Sequence, residues 1–219
     1  MKIVILLGRQ GSGKGTQAQF LTKEFNLSYI GTGEILRLRA ETPDFTGKKI
    51  KEVLERGDYL PTAVMCAIWM QTLELHKKTE DSKGIIFDGS PRKLFEAELF
   101  EQAFNWYEWS GGLQVFLIDI SRQEAFNRLT HRRMCEHCKK PIPWIGKFKD
   151  LTACDACGGN LVTRADDTPD AINSRLDLFD KETLPVIDYY DKKGVLERVN
   201  GEASIEEVYE SVKRLAFRV

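Results

Sequence analysis

Two groups of residues in this chain could do chemistry. Cys135 and Cys138 form one C-x-x-C pair, Cys154 and Cys157 form another, and 15 residues separate them. Four thiolates at that spacing are a pattern for tetrahedral zinc, and four protein ligands close the site, so the metal it predicts is structural. His137 lies inside the first pair and is expected to be exposed, since four cysteines complete the coordination. The second group is GRQGSGKGT at residues 8–16, which fits G-x-x-x-x-G-K with Gly8, Gly13 and Lys14. Glycines there let backbone N–H groups curl around phosphate oxygens, the following helix adds positive potential, and Lys14 reaches the outer phosphates. A nucleoside triphosphate is the ligand this predicts. The general motif has Ser or Thr directly after the lysine. Here Gly15 intervenes before Thr16, so the acid that helps hold Mg²⁺ must come from elsewhere. Asp88, closing an apolar run, is the natural candidate.

Such residues need a scaffold. Residues 2–7 (KIVILL) read as a strand covered on both faces, followed by the glycine loop and a helix over 14–25. Further strands are predicted at 27–30, 84–88, 114–120 and 194–199. Helices are predicted at 33–41, 47–56, 62–77, 93–107, 121–130 and 204–215. Thr168-Pro169-Asp170 reads as a cap and first turn of a helix running towards 191, bent or broken near Pro185. Alternating strands and helices predict an α/β fold with a five-stranded parallel sheet, three layers deep. Residues 131–164, rich in Gly, Pro and Cys, interrupt the alternation and read as a small insert. Cys66, in the apolar helix AVMCAIWM, is expected to be a small buried hydrophobe.

Composition narrows the function classes. Of 219 residues, 32 are basic and 33 acidic, and a net charge of −1 argues against a general nucleic-acid or membrane binder. The apolar start of the chain is too short for a signal peptide. Paired cysteines of metal-binding spacing suit a reducing compartment, so a cytoplasmic protein is predicted.

Beyond these motifs the chain resembles the adenylate kinases, in particular the bacterial type with a long zinc-binding lid, nearly from end to end. GSGKGT at 11–16, GTGEILR at 31–37, GDYLP at 57–61, FDGSPR at 87–92, RLTHRR at 128–133, RADD at 164–167 and Arg175 are similar to motifs of that family. The resemblance implies a P-loop core over 1–30, 62–130 and 165–219, a helical monophosphate-binding subdomain over 31–61 and a zinc lid over 131–164. It implies a monomeric, Mg²⁺-dependent phosphotransferase, ATP + AMP = 2 ADP, with no nucleic-acid or membrane partner. ATP would lie on Gly11, Ser12, Gly13, Lys14, Gly15, Thr16, Arg128 and Arg132, with its base near Pro141, Ile142 and Ala203. AMP would lie on Thr32, Gly33, Arg37, Asp58, Tyr59, Leu60, Gly89, Ser90, Pro91, Arg92, Glu96, Arg164 and Arg175. Lys14, Asp88, Arg92, Arg132, Arg164 and Arg175 would act on the reacting phosphates. The arginines make physical sense, because in-line transfer between polyanions depends on positioning and charge neutralisation, and a planar guanidinium grips phosphate bidentately.

The chain departs from the family at three places. His131 stands where the hinge pattern has glycine, and Ser90 where it has phenylalanine. Glu96 stands where the family carries a glutamine that accepts from adenine N6 and donates to N1. An ionised Glu96 accepts from N6 but repels the N1 lone pair, a protonated one mimics the amide, and a carboxylate also suits guanine. The same reaction on GMP, UMP or CMP is therefore the alternative acceptor reading. A nucleotide-dependent binding module, using the lysines of the zinc-binding insert, is a remote one.

Overall fold

The computed structural model describes residues 1–79, 82–164 and 166–217; Ala165, in the RADD motif at the predicted start of the last core segment, lies outside them. Five parallel strands form the central sheet: β1 Lys2–Leu7, β2 Ser28–Gly31, β3 Gly84–Asp88, β4 Leu113–Asp119 and, last in the chain, β8 Leu196–Asn200, in the order β2-β3-β1-β4-β8. The period of two along β1 sorts its side chains cleanly. Ile3, Ile5 and Leu7 join one buried cluster, and Val4 and Leu6 join another on the opposite face. Helix α1 (Lys14–Phe25) packs Ala18 and Leu21 on the Val4 face.

After β2 come α2 (Thr32–Ala40) and α3 (Phe45–Arg56), which form a small helical unit. Asp44 caps α3 by accepting from the Gly47 amide at 2.7 Å, and Gly57 ends it. Leu36 and Ile50 anchor the pair to the main cluster. Helix α4 (Thr62–Thr79) leads to β3, and α5 (Leu94–Trp106) packs Ala97, Phe100 and Phe104 on the Ile3 face. The chain thus leaves neighbouring strands β1 and β3 towards opposite faces. That opens a crevice at their carboxyl ends, where ligands of open α/β sheets bind. Cys66 on α4 is half-buried and packs against the core from its margin, less enclosed than its sequence context suggests.

Helix α6 (Arg122–His131) runs into the insert, a second, antiparallel sheet of β5 (Arg133–Cys135), β6 (Pro141–Ile142) and β7 (Leu161–Thr163), with β5 in the middle. The chain then returns through α7 (Pro169–Leu178), capped as predicted by the Thr168 hydroxyl accepting from the Ala171 amide at 3.3 Å. The single bent helix expected over 169–191 is instead three pieces: α7, one wide π turn over Phe179–Thr183, and α8 (Leu184–Lys192). Pro185 has no amide to give, and the widened turn takes up the register just before it. The strand predicted from 194 starts at Leu196, because Gly194, at φ 68, still belongs to the turn ending α8. Helix α9 (Ile205–Phe217) closes the Val4 face with Val208, Val212 and Ala216. Among the described residues no helix is long and apolar enough to cross a membrane.

Candidate active site

The glycine loop leaves β1 and turns into α1 at Gly13, which takes the left-handed φ of 94. Lys14 folds its ammonium back on the loop, donating to the carbonyls of Gly8 and Arg9 at 2.8 Å each. Burial pulls its pKa down to about 8; Asp88 opposes the shift, and Arg92 and Arg132 add to it. Asp88 ends β3 in register with Leu6 of β1. Its Oδ2 accepts from the Tyr29 hydroxyl at 3.1 Å, and a Cβ on Gly15 would stand 3.1 Å from the same oxygen. Gly15 therefore lets a carboxylate sit against the phosphate loop. One carboxylate beside a phosphate cradle is a donor set that fits Mg²⁺, which is commonly held by one or two acids plus substrate phosphates.

The six predicted arginines converge. Arg37, Arg92, Arg128, Arg132, Arg164 and Arg175 all line one cleft with Lys14 and Asp88. Its cavity volume, about 360 Å³, lies within the roughly 300–1,000 Å³ range of small-ligand sites. Four of the guanidiniums are held by hydrogen bonds within the protein. Arg92 Nε donates to the Gly89 carbonyl at 2.6 Å, and its charge lies 4.9 Å over the Tyr59 ring. Arg128 binds Glu124 at 2.6 Å and the Gly201 carbonyl at 3.0 Å. Arg132 grips Asp167 with two bonds of 2.9 and 2.8 Å, and Arg175 donates to the same carboxylate at 2.9 Å. Arg164 keeps a buried Nε with no hydrogen-bond partner. Burial lowers the pKa values of Arg37, Arg132 and Arg164, and the cations depress one another further: Arg164 acts on Arg132, and Arg37 acts on Arg164. A cleft so crowded with positive charge is matched to a polyanion.

Most other predicted positions fall where the motifs put them. Gly11 to Thr16, Gly33, Asp58, Gly89, Pro141 and Ala203 line the cleft. Thr32, Tyr59, Leu60, Ser90 and Glu96 line a smaller adjoining pocket that shares Leu36, Asp58 and Arg92 with it. Ile142 does not reach the cleft: its side chain is packed inside the insert, 1% exposed. Pro91 is buried and lines neither space. Glu96 is buried, not solvent-facing. Its Oε2 accepts from the Arg92 amide at 2.8 Å, its Oε1 is buried without a partner, and burial pushes its carboxyl up. Sequence reasoning missed Lys93, Asp166 and Asp167, and the cleft aromatics Phe20, Trp144 and Phe148. Asp166 and Asp167 lie inside the RADD motif, beside the arginine that carries its expected phosphate role.

The cysteines meet in the insert. All four Sγ atoms lie within 4.8 Å of one another, with Cys135–Cys157 at 3.5 Å and Cys138–Cys154 at 3.6 Å. A zinc tetrahedron with Zn–S of about 2.3 Å has edges of about 3.8 Å, so the set fits the metal. The Cys138 and Ala156 amides point at the Cys135 and Cys154 sulfurs at 3.4 Å, which favours thiolates. His137 is exposed, as expected.

A phosphate loop at the crevice of a parallel sheet, an acid beside it, a cleft ringed by arginines and a smaller pocket that meets it at Arg92 define a P-loop phosphotransferase of the nucleoside monophosphate kinase class. The sequence model of the family described as "Adenylate kinase" matches residues 6–195. A protein named adenylate kinase from Carboxydothermus hydrogenoformans is 37% identical over 219 residues, covering 97% of this chain and 98% of its own. Proteins of the same name from Caldanaerobacter subterraneus subsp. tengcongensis and Clostridium kluyveri are 36% and 35% identical, covering 96% of this chain and 94% and 95% of theirs. The chain belongs to the adenylate kinase family.

Proposed function

We propose that this protein transfers the terminal phosphoryl group of ATP to AMP, giving two ADP, with Mg²⁺ bound to the nucleotide. The observation that carries the reading is the convergence of six arginines, Lys14 and Asp88 on one cleft with an acceptor pocket beside it. Family membership does not favour GMP, UMP or CMP as the acceptor, despite Glu96.

The chain's own residues divide the work. The loop from Gly11 to Thr16 and Lys14 hold the donor phosphates, and Arg37 and Arg92 hold the acceptor phosphate. Arg132, Arg164 and Arg175 stand between, where charge shifts from one phosphate chain to the other during transfer. Bound Mg²⁺ neutralises the donor oxygens, and Asp88 is the side chain placed to orient it with its water. Losing one of the central arginines should raise the barrier by about 3 kcal/mol or more. Residues 131–164 act as a lid that excludes water from the donor phosphates, with hinges near 120–131 and 164–168, on a core of 1–30, 62–130 and 165–219; residues 31–61 carry the acceptor. Pro141 and Ala203 meet the donor base through backbone. We place the protein in the cytoplasm as a monomer without nucleic-acid or membrane partners, in keeping with its balanced charge and its thiolate pairs.

A coupled assay with ATP, Mg²⁺ and each of AMP, GMP, CMP and UMP tests this. AMP should be the preferred acceptor. No turnover with any monophosphate, or a clear preference for another base, overturns it.

A further inference from the structure

The pocket beside the cleft has an apolar wall of Leu36, Leu60 and Met65, suited to a flat base. Its polar groups are unusual. Glu96 offers a buried Oε1 that has no partner in the protein. Lys93, one helical turn away, lines the same pocket and spends one of its three donors on the Leu60 carbonyl at 3.2 Å. Among the described residues no ion pair joins Lys93 to Glu96, so each keeps capacity for a third group placed between them. Thr32 donates to the Ser90 oxygen at 2.8 Å, which leaves the Ser90 hydroxyl hydrogen for the Glu96 carboxylate.

Adenine presents one donor, the exocyclic amine, and one acceptor, the ring nitrogen beside it. A carboxylate can serve only the first. We propose that Lys93 is a specificity-determining residue: its ammonium donates to the ring nitrogen while the Glu96 carboxylate accepts from the amine, so two charged side chains share an edge that a single amide could read. This rests on the reading of the pocket as the AMP base site. The rival is a protonated Glu96 that supplies both functions itself. Burial favours the neutral carboxyl; the Arg92 amide, the Ser90 hydroxyl and the Arg92 charge oppose it. Cys66 from α4 and Tyr190 from α8 also face Glu96, and Asp58 lines the pocket. A lysine arriving at the same base edge stabilises the ionised form further.

Steady-state kinetics with AMP at saturating ATP separates the two. Lys93→Met should raise KM for AMP about tenfold to a hundredfold with kcat little changed, the cost of one charge-assisted hydrogen bond. Lys93→Arg should retain most of the affinity. In Lys93→Met/Glu96→Gln the amide supplies both groups, and KM should return to within about threefold of wild type. Wild-type KM should stay flat from about pH 7.5 to about pH 8.5, above the phosphate's own titration near pH 6. A KM that climbs across that window, or Lys93→Met with unchanged KM and melting temperature, overturns the proposal while leaving AMP phosphorylation intact. Failure of the wild type to use AMP at all removes the parent reading and this one with it.

Discussion

Burial bears on Lys14 and Asp167 in different ways. Lys14 has a folded pKa of about 8 against an ordinary 10.5. Between those values the unfolded chain binds more protons than the folded one, so this group makes stability rise with pH across that window. For ligand binding the sign reverses. Polyphosphate favours the charged ammonium, so above about pH 8 nucleotide binding must take up a proton, and affinity should fall as pH rises. Titration calorimetry of ATP near pH 8.5 in two buffers of different ionisation enthalpy should show that uptake, and Lys14→Met should abolish it. Equal heats in both buffers would refute the assignment. Asp167, with a side chain 0% exposed, holds both Arg132 and Arg175. Asp167→Ala leaves Arg132 without its ion pair and Arg175 with only the longer one to Asp166 at 3.9 Å, and should destabilise the free protein by about 3 kcal/mol. A dinucleotide bridged by five phosphates brings anionic oxygens to the same arginines. Thermal melts should therefore show a smaller loss with that compound bound than without it; an equal loss would mean the arginines do not meet phosphate.

Among the elements, the passage from α6 into the insert carries the clearest constraint. His131, the last residue of α6, stacks on Trp144 of the insert with ring centres 4.8 Å apart, and its Nδ1 lies 2.9 Å from the Asn127 carbonyl. Where the resembling motif has a glycine, this chain has an aromatic clasp between α6 and the insert. Such pairs are worth about 0.5–1.5 kcal/mol. His131→Ala should therefore speed amide exchange in 133–163 by about twofold to tenfold while leaving exchange in β1 and β4 unchanged; uniform acceleration through the sheet would count against a local clasp. The clasp was not legible in the sequence, because two residues 13 apart meet only through the course of β5 and β6. The π turn was hidden for the same reason. Its Asp180 binds Arg9 at 2.7 Å, and its Thr183 donates to the Arg92 carbonyl at 3.1 Å, contacts no local pattern announces. By contrast β1 and β3 were readable because a strand covered on both faces is a continuous apolar run. The glycine loop and the C-x-x-C pairs were readable because their chemistry fixes short spacings. The arginines lay between these cases: singly they look like surface cations, and only their motif contexts pointed to a cleft.

At the scale of the molecule, two parts are stabilised in different ways. The parallel sheet buries two large apolar clusters, one on each face. The insert has almost nothing comparable: among the described residues of 133–163 only Cys135, Ile142 and Cys154 are buried. Its sheet of two- and three-residue strands is too small to stand alone. The thiolate cluster must then supply the missing energy, and structural zinc binding is worth about 10–16 kcal/mol in small peptides. Removing metal should unfold the insert and spare the core. With zinc chelated, or in Cys154→Ser, far-UV circular dichroism should fall only slightly. Proteolysis should cut first within 133–163, and turnover should drop steeply because Arg132 and Arg164 at the insert's two ends lose their placement. Metal analysis should give one zinc per chain before chelation and full activity on its return. If the chelated protein keeps its turnover and resists protease in the insert, the four sulfurs are not what holds the insert together, and the short sheet with its His131–Trp144 clasp must be sufficient by itself.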